Sequence, residues 1–155
     1  MDQRVFGRVL VAVDDSPGAL AAVRVAVALA AHTAAVVRFL HVGGDGEAAG
    51  ALTSMGRGTG LATRSSDAAA SLLRHVGTVA EQRGVASEGA SGWGHPAALV
   101  LAEARRWQAD LVVIGRSGAR GPGRTAVGSV TREVLEFADV PVLVVPRSEN
   151  QPRTE

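Results

Sequence analysis

The sequence predicts a single-domain α/β protein, in which helices cover both faces of an open, five-stranded parallel sheet. Three observations lead to this prediction. Short apolar, β-branched runs alternate with longer segments of helical spacing, a pattern typical of repeated strand–helix–strand crossovers. The chain of 155 residues is long enough for one hydrophobic core. It contains no cysteine, so neither disulfides nor thiolate metal sites stabilise it. The expected fold class is therefore Rossmann-like.

The first crossover unit lies at the start of the chain. Val9–Val13 is an apolar run that ends in the turn sequence DDSPG, as buried parallel strands often do. Ser16 is placed to cap, and Pro17 to begin, a helix that we expect to end near Ala31. A second strand over Ala35–Val42 then ends at a pair of glycines.

The middle of the chain is the least regular part. Segment 43–63 is rich in Gly, Ala, Ser and Thr without clear periodicity, so we expect a flexible surface loop there. A helix should follow, capped by Ser65 or Ser66 and closed by Gly84 at its C-terminal end. Val85–Ser91 is predicted to be a weak third strand.

Two more strands complete the predicted sheet. A helix opening at Pro96 leads to the apolar run Leu111–Ile114, the fourth strand. After a glycine-rich loop, a last helix begins at Gly128–Ser129. Pro141–Val145 is then the fifth strand.

Composition narrows the function. The formal net charge of +1 argues against nucleic acid as a partner, and the absence of lysine excludes a P-loop lysine. The histidines form no metal-binding pattern, so we expect no metal held by protein side chains alone. Without an apolar span or a signal-peptide pattern, we expect a cytoplasmic protein with no membrane partner. The domain should cover residues 1–147, followed by a disordered tail over 148–155.

The most informative stretch is IGRSGARGPGRTAVGSVTREVL, which lies between a predicted strand and a predicted helix. Gly115, Gly118, Gly128 and Ser129 follow the spacing G, two residues, G, nine residues, G, S. Glycine lets a backbone approach a ligand closely, and we expect free amides at Gly128, Ser129 and Val130, where a helix N-terminus binds anions. A phosphate group would fit this site. The alternative is a flexible connector leading into a capped helix.

This strand, loop and helix, together with VAVDDS at the end of the first strand, resemble the nucleotide-binding members of the universal stress protein family. The resemblance extends from about Arg8 to Pro146 and includes every fixed position of the glycine pattern. It implies a fold similar to that of the adenine nucleotide alpha hydrolases. It also implies an ATP site, with or without Mg²⁺.

The resemblance places one group of residues at the adenosine end of ATP. Asp14 matches the acidic residue beside the adenosine, and Ala12 and Val13 line the same crevice. Val42 matches the residue against adenine, and Ile114 is placed to pack on the base or sugar. Ordinary core positions for Val42 and Ile114, and a turn-forming role for Asp14, are the alternatives.

A second group belongs to the phosphate end. By resemblance, Gly115 and Gly118 lie near the ribose and phosphates, while residues Gly128, Ser129, Val130 and Thr131 hold the phosphate chain. Arg116 and two further loop arginines have forked donors suited to phosphate oxygens, with a solvated surface position as the alternative.

The function implied by the resemblance is a nucleotide-dependent binding module of the stress response. ATP would stabilise the loop and the last helix and so change the surface offered to partners. A homodimer through the last strand, Val140 to Val145, is also implied. An exposed apolar edge strand promotes aggregation, and pairing in a dimer would cover it. One alternative is an enzyme, a slow ATPase or nucleotide-processing protein, although the sequence offers no positioned general base. A family member whose site is empty, or holds another ligand such as AMP or a cyclic nucleotide, is a third hypothesis.

Overall fold

The computed structural model describes residues 5–14, 16–43, 60–116 and 127–147, with the side chains of 60–66 left out of that description. Strands and helices alternate along these ranges as predicted. The elements are β1 Arg8–Val13, α1 Pro17–Thr33, β2 Val36–Gly43, α2 Gly60–Gln82, β3 Ser87–Trp93, α3 Pro96–Trp107, β4 Leu111–Gly115, α4 Ser129–Phe137 and β5 Val142–Val145.

All five strands form one parallel sheet in the order β3-β2-β1-β4-β5. From the central β1, the chain first moves outward through β2 and β3, and later returns to the other side of β1 as β4 and β5. Crossovers between parallel strands share one handedness. Crossovers that run in opposite directions along a sheet therefore place their helices on opposite faces. The predicted fold class is therefore confirmed, and the strand order reverses between β1 and β4.

Two apolar cores lie on the two faces of the sheet. Because side chains alternate along a strand, Val9, Val11 and Val13 of β1 pack with α1 and α2, whereas Leu10 packs with α3 and α4. Phe39 of β2 is the largest of the fully buried side chains in the described ranges. Burial of such a side chain contributes about 1.5–3 kcal/mol, so both helical layers are firmly attached to the sheet.

The ends of two helices agree with the chemistry expected from the sequence. The Oγ of Ser16 accepts a hydrogen bond from the Ala19 amide at 3.2 Å and caps α1 as predicted. α1 ends at Thr33 and is followed by its C-cap Ala34, which has a left-handed φ of 54°. Gly84 has a φ of +68° and follows the last turn of α2, the conformation for which glycine was expected there.

The predicted start of α2 was wrong. The helix begins at Gly60 rather than at Ser65 or Ser66, so the end of the expected loop 43–63 is helical. Ser, Thr and Gly are weak helix formers, but a packed helix extends readily because each added residue gains a hydrogen bond. Residues 44–59 lie outside the described residues, as does the tail predicted over 148–155.

β3 is displaced from its predicted position. The apolar Val85, expected in the strand, instead donates its amide to the Ala80 carbonyl at 2.9 Å and joins the first core. Val85 is therefore apolar because it packs at the end of α2. The strand begins two residues later, at Ser87. Within the described ranges, no helix is long and apolar enough to span a membrane.

A charged cluster anchors α3 to the sheet. Arg38 of β2 bonds to Glu88 of β3 at 2.9 Å and also to Glu103 of α3, and its guanidinium lies 4.9 Å from the ring centroid of Trp107. The side chains of Arg38 and Glu103 are only 15% and 13% exposed. A hydrogen bond from Arg106 to Glu103 lowers the pKa of the Glu103 carboxyl; burial opposes this shift, and Arg38 reinforces it.

Candidate functional site

A cavity of about 180 Å³ opens at the carboxyl end of the sheet, where the strand order reverses. Its walls come from the ends of β1, β2 and β4 and from the first turns of α1, α3 and α4. Parallel sheets commonly bind ligands at this position. Because sites that enclose a whole ligand measure roughly 300–1,000 Å³, this cavity suits a base or sugar, with the rest of a larger ligand at its mouth.

The strand wall contains every residue that the sequence assigned to the adenosine end. Ala12, Val13 and Asp14 line the cavity at the end of β1, Val42 does so at the end of β2, and Ile114 at the end of β4. They meet because the carboxyl ends of parallel strands share one edge of the sheet. Four of the five are apolar, so this wall favours a flat, weakly polar group.

Asp14 provides the acidic group of this wall. Its Oδ1 accepts a hydrogen bond from the Ser16 amide at 2.8 Å and forms the turn that leads into α1. No described residue donates to Oδ2. The turn-forming role considered from the sequence is therefore present, and it also fixes the carboxylate at the edge of the cavity. The neighbouring Asp15 lies outside the described residues.

Gly115 and Thr131 connect β4 to the helical side of the cavity. The Oγ1 of Thr131 donates to the Gly115 carbonyl at 2.7 Å, and Thr131 is only 3% exposed. A Cβ on Gly115 would lie 2.8 Å from the carbonyl carbon and oxygen of Gly18. Close packing of β4 against α1 therefore accounts for this glycine, independently of any ligand.

The first turn of α4 points toward the cavity and was predicted to offer free amides. Gly128 does not, because its amide donates to the Arg116 carbonyl at 2.8 Å; that part of the prediction was wrong. The two ends of the glycine-rich loop thus bond to each other. No described residue accepts from the amides of Ser129, Val130 and Thr131, as is usual in a first helical turn.

The remaining predicted residues lie around the cavity or beyond the described ranges. Val130 and Thr131 line it, while Ser129 is exposed at the start of α4. Arg116 follows the cavity wall without lining it, and its amide donates to the Val145 carbonyl of β5 at 2.8 Å. Gly118, with the two further loop arginines Arg120 and Arg124, lies outside the described residues.

Sequence reasoning missed the contribution of α1 and α3. Ser16 and Ala19 line the cavity from α1, and Pro96 and Val100 line it from α3. Ser16 was assigned only a capping role, and Val100 carried no signal beyond helical spacing. Their part in the site depends on the crossovers, which no local pattern specifies. Among the described residues, no group of three or more histidine, aspartate or glutamate side chains could hold a metal ion.

Three polar side chains, His95, Arg132 and Glu133, flank the first turns of α3 and α4. Nε2 of His95, the N-cap residue of α3, lies 2.8 Å from Oε2 of Glu133 on α4. Nη2 of Arg132 lies 3.4 Å from the carbonyl oxygen of Val127. None of these three was assigned to the site from the sequence. His95 and Glu133 connect two helices whose first turns line the cavity.

Comparison with known proteins gives a consistent result. The Universal stress protein family model matches residues 6–146. Universal stress protein YxiE of Bacillus subtilis is 28% identical over 152 residues, covering 91% of this chain and 99% of the relative. A universal stress protein solved in complex with cAMP is 24% identical with a TM-score of 0.67, covering 92% of this chain and 98% of that one. The universal stress protein from Archaeoglobus fulgidus in complex with dAMP is 21% identical with a TM-score of 0.63, covering 91% and 98%.

Proposed function

The chain belongs to the universal stress protein family, and we propose that it binds ATP as a nucleotide-dependent binding module of the cytoplasmic stress response. The observation that carries this proposal is the cavity at the strand-order reversal, which gathers the residues assigned to adenosine. Two solved proteins of the same fold hold cAMP and dAMP, which supports an adenine nucleotide as the class of ligand.

The adenosine would occupy the cavity itself. Ala12, Val42 and Ile114 offer an apolar wall for the base, and burial of a flat ring against such a wall is favourable. Asp14 has one carboxylate oxygen engaged in its turn and the other available to accept from a ribose hydroxyl. The cavity volume of about 180 Å³ suits the base or the sugar, so the rest of the nucleotide would lie at its mouth.

The phosphate chain would extend from the cavity toward α4. The amides of Ser129, Val130 and Thr131 converge at that helix end, where the helix dipole adds a partial positive charge. No acidic residue stands in the first turn of α4 to oppose an anion. We assign Gly118 to the phosphates from the sequence motif. Mg²⁺ would be held chiefly by phosphate oxygens, as it commonly is in nucleotide sites.

The hydrogen bonds around Arg116 support a proposed link between the phosphate site and a partner surface. Its carbonyl accepts from Gly128 beside the phosphate site, and its amide donates to Val145 at the end of β5. β5 is an edge strand, with Leu143 38% exposed and the nearby α4 residue Phe137 56% exposed. We therefore propose a homodimer through Val140–Val145 whose stability depends on the bound nucleotide.

Isothermal titration of the chain with ATP and Mg²⁺, AMP and GTP tests the proposed site. We expect saturable ATP binding that is lost in Gly118→Asp, which adds bulk and negative charge at the phosphates. Gly77→Asp is the matched control, because a side chain at Gly77 on α2 would meet open space. A wild-type chain that binds no adenine nucleotide would refute the proposal. Steady phosphate release from bound ATP would instead favour the enzymatic alternative.

A further inference from the structure

Arg132 is distinguished by the direction of its side chain. Its Nη2 reaches back to the carbonyl oxygen of Val127, the residue before the N-cap Gly128 of α4. Side chains of a helix tilt toward its N-terminus, which brings this arginine to the helix end that presents the unpaired amides. Sequence reasoning considered the loop arginines for phosphate binding but overlooked this one.

This position is unfavourable for a cation unless an anion is also present. The N-terminus of a helix carries a partial positive charge, so a nearby guanidinium is repelled. α4 has no acidic residue in its first turn to offset that repulsion. At 3.4 Å, the contact with Val127 is at the long limit of a hydrogen bond and holds the guanidinium weakly. A phosphate at this end would relieve the repulsion and accept charge-assisted hydrogen bonds.

The neighbouring carboxylate has a partner of its own on α3. Glu133 bonds at 2.8 Å to His95, and the residue after His95 is Pro96 of the cavity wall. An unengaged carboxylate one helical turn from the amides would repel a phosphate chain. The bond to His95 holds the Glu133 carboxylate against α3, whereas the Arg132 guanidinium reaches back to the N-terminal end of α4.

We propose that Arg132 is a specificity-determining residue that makes the site prefer nucleoside di- and triphosphates to nucleosides and monophosphates. The inference rests on the proposed nucleotide site and adds a residue outside its glycine pattern. All adenine ligands share the same cavity contacts, and only a phosphate chain extends toward α4. The contribution of Arg132 should therefore increase with the number of phosphates on the ligand.

The test is isothermal titration of wild type and Arg132→Gln with adenosine, AMP, ADP and ATP at one ionic strength. We expect about a tenfold weaker ATP affinity, as for one lost charge-assisted hydrogen bond, a smaller loss for AMP and none for adenosine. Arg132→Lys should recover part of the ATP affinity. Arg74→Gln, which removes an exposed cation from α2, is the matched control and should change none of the affinities.

The possible results separate this inference from the proposed function. An equal loss for all four ligands would indicate a structural role for Arg132 and overturn the inference, as would an unchanged ATP affinity in Arg132→Gln. In both cases the nucleotide site itself would stand. A wild-type chain that binds neither adenosine nor ATP would refute the site and the inference together.

Discussion

The hydrogen bond between Thr131 and Gly115 provides a sharp test of how the site is assembled. Thr131→Val removes the donor hydroxyl and retains nearly the same shape. Thr131 is 3% exposed and donates to the Gly115 carbonyl at 2.7 Å, so the variant leaves a partly buried carbonyl without this partner. Loss of a buried partner costs about 1–3 kcal/mol, and the added methyl group offsets part of that cost.

We therefore expect the free energy of unfolding to fall by about 1–2 kcal/mol, equivalent to about 2–8 °C in Tm. Urea unfolding followed by circular dichroism measures the change. Thr78→Val is the matched control, because the Thr78 hydroxyl bonds to the Arg74 carbonyl at 3.0 Å on an exposed face of α2. That control should change stability by less than about 0.5 kcal/mol.

A Thr131→Val variant no less stable than Thr78→Val would refute the reasoning, because the bond between α4 and β4 would then contribute nothing measurable. If the bond does hold the first turn of α4 in place, the variant should also bind ATP more weakly. That second readout depends on the proposed nucleotide site, whereas the loss of stability does not.

Two further predictions concern packing and charge. Gly115→Ala should destabilise the protein by about 1–3 kcal/mol, because its Cβ would meet the Gly18 backbone at 2.8 Å. The control Gly77→Ala should be neutral or stabilising, because a side chain there would meet open space. Comparable urea midpoints for the two variants would contradict this prediction. The lowered pKa of Glu103 contributes stability above its ordinary value of 4.5, and this contribution is lost as pH falls through the lowered pKa. Unfolding measured against pH should therefore show Glu103→Gln destabilised at neutral pH and approaching wild type in acid, and a pH-independent difference would contradict the assignment.

Local patterns in the sequence were sufficient for most of the fold. Apolar runs of strand length predicted β1, β2 and β4 closely, and Ser16 and Gly84 marked helix ends because capping depends on the residues themselves. The start of α2 and the position of β3 were missed. In both places local propensity is weak, so packing determined where the element begins.

The family resemblance selected the strand-end residues of the candidate site, and the structure brings them to one cavity because strand ends in a parallel sheet meet at one edge. Their assignment to adenosine stays a proposal. Only the tertiary structure revealed that Pro96 and Val100 complete the cavity, and that Gly115 is required by contact with Gly18. These contacts join segments distant in the chain, and their geometry depends on how helices pack across the sheet. Periodicity, capping and motif spacing depend only on residues that are near each other in the chain. The helical wall of the cavity depends instead on how α1, α3 and α4 pack against the strand ends, so only the tertiary structure determines it.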